Sequence, residues 1–131
     1  MNFNNWIADV VNKLNMGNRH RVRTVVLDIN KKTMEIIYVL LDLGLIRGFK
    51  LESVNKVKVQ FRFNGGFHIF YKLKIVSKPS KRVFWNLDEL YKNVDKKNSE
   101  IYILSTKEGL LIGSDCLWRN LTGEVLLKIV L

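Results

Sequence analysis

Residues 56–63, Lys-Val-Lys-Val-Gln-Phe-Arg-Phe, alternate apolar and polar side chains without a break. A period of two is strand geometry. It puts Val57, Val59, Phe61 and Phe63 on one face and Lys56, Lys58, Gln60 and Arg62 on the other. Asn64-Gly65-Gly66 is a turn signal, and residues 67–76 are predicted to return as the second strand of a β-hairpin. Any fold for this chain must therefore cover one side of a ribbon and leave a basic side open.

Two helices are predicted upstream. Ile7, Val10, Val11 and Leu14 recur at helical spacing over 5–16, with Asn4 or Asn5 as cap and Gly17 as stop. Met34, Ile36, Ile37, Leu40 and Leu41 define a second helix over 31–43, capped by Asp28 or Asn30 and ended by Gly44. Between them lie the basic run Asn18–Arg23 and a short apolar strand, Val25–Leu27.

Downstream the pattern changes to short strands broken by small polar loops. Val83–Trp85, 101–104, 109–112 and 124–131 read as strands. Asn86 caps a short helix with Asp88 and Glu89 in its first turn, and Ser114 is the expected cap of a single turn over 115–118. The loops are Ser77-Lys78-Pro79-Ser80-Lys81-Arg82, Ser105-Thr106-Lys107-Glu108-Gly109 and Thr122-Gly123-Glu124. Small residues let a backbone approach phosphates and sugars closely, while hydroxyls supply hydrogen bonds. The expected fold class is α+β with two small lobes. Residues 1–72 form an α/β lobe of two helices on a small sheet, and residues 73–131 a β-rich lobe with one short helix.

Charge indicates the partner. The net charge is +10 in 131 residues, and 47% of the chain is hydrophobic. A chain that can bury a core and still carries this excess points to a polyanion, either nucleic acid or an anionic membrane surface. Residues 1–72 hold 12 Lys/Arg against 5 Asp/Glu, and residues 73–131 hold 10 against 7, so the loops lie in the less basic half. If both halves bind nucleic acid, the first relies more on charge and the second on shape and hydrogen bonds.

Other chemistries find little support. The lone Cys116 rules out an intrachain disulfide, and with His20 and His68 it makes no zinc-site spacing, so no metal and no cofactor are expected. The longest apolar run, Ile36–Leu41, is too short to span a bilayer. The N-terminal residues have neither signal-peptide nor transit-peptide character. No nucleotide-binding glycine loop or Ser/His/Asp pattern stands out, so no enzyme is expected and no catalytic residue is assigned. Ala8 is the only alanine and Pro79 the only proline, while Asn, Lys and Ile abound, a bias typical of AT-rich genomes.

Several segments together resemble one family, the bacterial-type small ribosomal subunit protein eight. Ile7-Ala8-Asp9 is similar to its opening helix, and Leu43-Gly44-Leu45-Ile46 to the exit of its second. Ser77-Lys78-Pro79 with Arg82-Val83-Phe84 resembles its Ser-Arg/Lys-Pro-Gly…Arg-Val/Ile-Tyr segment, and Asp88-Glu89-Leu90 its third helix. Ser105-Thr106 with Gly109 resembles its Ser-Thr-Ser-Lys-Gly loop, and Gly123-Glu124 its Gly-Gly-Glu corner.

The resemblance implies a structural constituent of the small ribosomal subunit, bound to the central domain of small-subunit ribosomal RNA and to neighbouring ribosomal proteins. It implies RNA contact at Ser105, Thr106, Lys107, Gly109, Gly123 and Glu124, with Ser77, Lys78, Arg82 and Phe84 in second rank. Arg19, Arg21 and Arg23 are further phosphate candidates, spaced to share one side of an extended segment. A solvated face is the competing reading there, as it is for Lys56, Lys58 and Arg62. The three tryptophans are candidates for base stacking or for packing.

The chain departs from the family pattern at several positions in and beside these loops. Lys107-Glu108 stands for Ser-Lys, and Glu108 must point away from phosphate or pair with Lys107. Phe84 replaces a tyrosine, Ser80 a glycine, and Thr122 the first glycine of the corner. Such divergence with AT bias suits a mitochondrial member, with a bacterial cytoplasm or a plastid as the alternatives. A free RNA-binding repressor of messenger RNA and a basic protein-interaction scaffold are the rival functions.

Overall fold

A computed structural model describes residues 5–64, 67–68, 72–94 and 99–131. Helix α1 (Asn5–Arg19) leads to β1 (Thr24–Asp28), α2 (Lys31–Asp42), β2 (Ile46–Ser53) and β3 (Lys56–Phe61). The ribbon β4 (Phe63–Asn64) and β5 (Phe67–His68) follows, then β6 (Lys72–Ile75), β7 (Phe84–Trp85) and α3 (Leu87–Val94). The chain ends with β8 (Glu100–Thr106), β9 (Gly109–Ile112), α4 (Gly113–Arg119) and β10 (Gly123–Val130). The fold is α+β, with an N-terminal lobe of helices on a small sheet and a C-terminal β-rich lobe.

The first sheet has the order β1-β3-β2, all antiparallel. Strand β3 is central, with Val59 paired to Val25 on one side and Phe49 on the other. The expected hairpin must be redrawn for this reason. Both edges of 56–61 are taken by β1 and β2, and only the two-residue β4 and β5 pair with each other. The returning segment leaves this sheet, and β6 pairs with β10 instead. Alternation reveals a strand's faces but not its neighbours. Gly65, Gly66 and residues 69–71 lie outside the described residues.

The second sheet runs β6-β10-β8-β9, and β7 pairs with the start of β10. Its central strands are covered on both faces. Ile103, Leu127 and Ile129 join a core with Ile7, Val11 and Leu14 of α1, Ile36 and Leu40 of α2, and Val57 and Val59 of β3. Tyr102, Leu104 and Val125 point the other way, into a second core with Leu90 of α3 and Cys116 of α4. A register shift between Val125 and Leu127 in the β8–β10 ladder lets the adjacent Leu126 and Leu127 both join the first core. The bulge thus breaks a strict alternation, as an inserted residue must.

Helix ends show which local signals work. Asn30 caps α2 by accepting a hydrogen bond from the Thr33 N–H at 2.8 Å, and Gly44 follows with φ of 75°. At α3 the Glu89 N–H donates to Asn86 Oδ1 (2.8 Å) while the Asn86 N–H donates to Glu89 Oε1 (3.3 Å), a reciprocal capping box.

Two expectations fail. Gly17 does not end α1, which runs to Arg19. A Cβ at Gly17 would lie 2.5 Å from Val25 Cγ2, so the glycine serves close packing of α1 on β1. Ser114 does not cap α4; the cap position is Ile112 and has no side-chain bond. The expected single turn is a seven-residue helix, so the C-terminal lobe carries two short helices.

Candidate RNA-contact edge

The start of β10 lies between β7 and β8, and this draws the three polar loops together. Gly123 and Glu124 pair with Trp85 and Phe84 on one side, and Glu124 pairs with Ser105 on the other. A Cβ on Gly123 would lie 2.0 Å from the Ser105 carbonyl oxygen. Only glycine allows this approach, so the corner residue fixes the spacing of two loops.

Glu124 is the knot beneath them. It is 8% exposed and accepts hydrogen bonds from the buried Ser77 hydroxyl at 2.5 Å and from Arg82 Nε and Nη2 at 3.1 and 3.3 Å. The Ser77 oxygen in turn accepts from the Val83 N–H at 3.1 Å. A carboxylate removed from water needs such partners, and the two-pronged guanidinium also aligns Arg82. Ser77 and Glu124, expected as contact residues, are thus placed below the surface and hold the loop above.

That loop is closed by reciprocal backbone bonds between Lys78 and Lys81, each 3.0 Å. Lys78, Pro79, Ser80 and Lys81 are all exposed. Phe84 is 60% exposed, with the Arg82 guanidinium carbon 5.9 Å from its ring centroid. A flat cation over an exposed ring is a surface on which a base can stack, while the ring carries no hydroxyl to donate a hydrogen bond.

In the second loop the Thr106 hydroxyl donates to the Gly109 carbonyl (2.8 Å) and accepts from the Glu108 N–H (3.2 Å). Gly109, with φ of 106°, completes this tight turn, and Lys107 and Glu108 stand exposed at its tip. Glu108 pairs with Arg119 at the end of α4 at 3.5 Å. Of the two alternatives for Glu108, pointing away from phosphate or pairing with Lys107, the structure shows neither as such and pairs it with Arg119, which α4 brings up to the turn. The sequence carries no signal for Arg119, which sits alone and eleven positions away.

The basic N-terminal run is arranged differently. Arg19 is the last residue of α1, and Arg21 has φ of 57°, so Arg19, Arg21 and Arg23 do not share one side of an extended segment. All three are exposed. On the open face of the first sheet, Lys56 pairs with Asp28 and Lys58 with Glu52. The Lys56 hydrogen bond holds the Asp28 carboxyl below its usual range. Arg62 Nη1 donates to the Gly44 carbonyl at 3.4 Å. These cations are engaged within the protein.

The tryptophans divide as well. Trp6 is part-buried against the first core, and Trp85 packs edge-on against Tyr102 with centroids 4.8 Å apart. Trp118 is 88% exposed, so it is no part of a core. Cys116 is fully buried, and burial pushes its thiol up to about 11. Among the described residues no three His, Cys, Asp or Glu side chains gather as metal ligands, and no helix is long and apolar enough to cross a membrane.

The family model described as ribosomal protein S8 matches residues 5–130. The chain belongs to the ribosomal protein S8 family. Relatives include the small ribosomal subunit protein uS8m of Acanthamoeba castellanii, 26% identical with 94% of this chain and 97% of the relative covered. The uS8 protein of Mycoplasmoides gallisepticum is 30% identical over 92% of this chain and 93% of its own length. That of Mesoplasma florum is 29% identical, with the same coverage. Membership makes this a structural ribosomal protein, and it favours neither the free messenger-RNA repressor nor the basic scaffold.

Proposed function

We propose that this S8 family member is a structural protein of the small ribosomal subunit that binds the central domain of its ribosomal RNA. The observation carrying this reading is the convergence of three polar loops on one edge, tied by Gly123 and Glu124. The lobe of residues 73–131 makes the grip, and the lobe of residues 1–72 braces it against the rest of the particle.

At the edge, Lys78, Lys107 and Arg82 face phosphates, while Ser105, Thr106 and Gly109 present hydroxyls and close backbone to the ribose. Phe84 offers a stacking surface. Ser77, Gly123 and Glu124 hold these groups in place. Arg19, Arg21 and Arg23 give a separate set of phosphate contacts. Such recognition reads shape, 2′-hydroxyls and unstacked bases, because the deep groove of an RNA helix is closed to side chains. The role is scaffolding, and no reaction is assigned. The mitochondrial ribosome is the proposed setting, on the AT-biased composition and the uS8m relative.

The test has two parts. The protein should sediment with small subunits and resist release until high salt. In filter binding, Ser105→Ala with Thr106→Ala should weaken affinity for a central-domain transcript about tenfold, the loss of one or two hydrogen bonds. Unchanged affinity in a folded variant would remove this loop from the interface.

A further inference from the structure

Glu108 is the departure that most threatens the proposed grip, since it places a carboxylate at the tip of a phosphate-facing turn. The geometry offers a purpose for it. Its Oε1 lies 3.5 Å from Arg119 Nη1, and both side chains are about half exposed. An ion pair so open to water adds little to stability, so folding alone gives no strong reason for it. Its observed consequence is placement, because it sets the Arg119 guanidinium beside the Thr106–Gly109 turn.

We infer that Arg119 is a phosphate-binding residue of this edge, aimed by Glu108, and that it supplies from α4 the cation that the turn itself carries one position early. This rests on the proposed RNA grip and adds a residue to it.

Three features support the assignment. Arg119 lies in the last turn of α4, where a cation is favoured by the helix dipole and the chain then turns sharply at Asn120, with φ of 55°. The turn is set by internal bonds of Thr106, so Glu108 leaves it in a defined direction. A guanidinium has five donors, so one edge can pair with Glu108 while others reach a phosphate, as a lysine ammonium could not do with the same geometry. The carboxylate is thereby neutralised at the place where it would otherwise repel RNA.

The experiment is a cycle of Arg119→Ala, Glu108→Ala and the double variant, measured as log affinity against log salt on a central-domain transcript. Ser105→Ala/Thr106→Ala is the control, and circular dichroism confirms folding. Arg119→Ala should weaken binding and make the salt slope shallower by about 0.7, the value for one phosphate contact on a single strand. Arg119→Lys should restore the slope but only part of the affinity. The Arg119 effect should shrink when Glu108 is already alanine.

Equal slopes for wild type and Arg119→Ala overturn the assignment, provided the control still loses affinity. If the control too binds like wild type, the grip itself is misplaced and both readings fall. An Arg119 effect that persists undiminished in the Glu108→Ala background, or a Glu108→Ala variant that binds more tightly, overturns the aiming role.

Discussion

The two sheets of this protein handle their charges in opposite ways. The first keeps one face open, and its Lys56 and Lys58 are matched by Asp28 and Glu52 on neighbouring strands. The second buries its central strands on both faces, and the exposed Lys78, Lys81 and Lys107 stand on loops at one end, around a corner that only glycine can make. The comparison teaches that basic residues alone do not mark a nucleic-acid surface. At the loop edge the buried Glu124 takes Ser77 and Arg82 as its partners, while Lys78 and Lys107 are exposed on the loops beside them. Double-sided burial also fixes the strand ends, so the loops they carry are held in register.

The contrast breaks most severely at the corner. Gly123→Ala forces a Cβ into the Ser105 carbonyl, and overpacking of this kind costs about 3 kcal/mol. Urea unfolding should show that loss, together with collapse of RNA affinity. Glu124→Ala comes next. It strips Ser77 and Arg82 of their shared acceptor, for a loss of about 2 kcal/mol, with faster amide exchange across 77–83.

The third comparison separates the sheets directly. Lys78→Ala with Lys107→Ala should reduce the salt slope of RNA binding by about 1.4, while Lys56→Ala with Lys58→Ala leaves it unchanged. A similar reduction from both pairs would erase the distinction.

The smallest effect is one of pH. Because burial raises the Cys116 thiol from 9.0 to about 11, the folded state disfavours the thiolate. Its contribution to stability is complete below pH 9 and is withdrawn as the pH rises towards 11. Cys116→Ala should flatten this alkaline fall in the melting temperature, and the native thiol should resist alkylation at neutral pH.

Much of the helical part is legible in the sequence. Asn30, Gly44 and the Asn86/Glu89 pair are local signals, and local chemistry decides them. Partner choice is not local. The alternation of 56–61 gives its two faces correctly, with Val57, Val59 and Phe61 buried, yet the strand's neighbours come from 24–28 and 46–53. The loops that form the edge are legible as a group because each is small and polar. Which of their residues face outward is not. Ser77 and Glu124 look identical in type to exposed loop residues, and only the hydrogen bond that joins them across 47 positions shows that they are buried. Gly17 misleads for a similar reason, since a glycine at a helix end reads as a stop whether it turns the chain or merely makes room.

Crosslink mapping on the complex with a central-domain transcript tests the central claim most directly. The account predicts crosslinks in residues 78–84, 105–109 and 118–123, with further ones near Arg19–Arg23. Crosslinks confined to Lys50, Lys56 and Lys58 on the open face of the first sheet would contradict it.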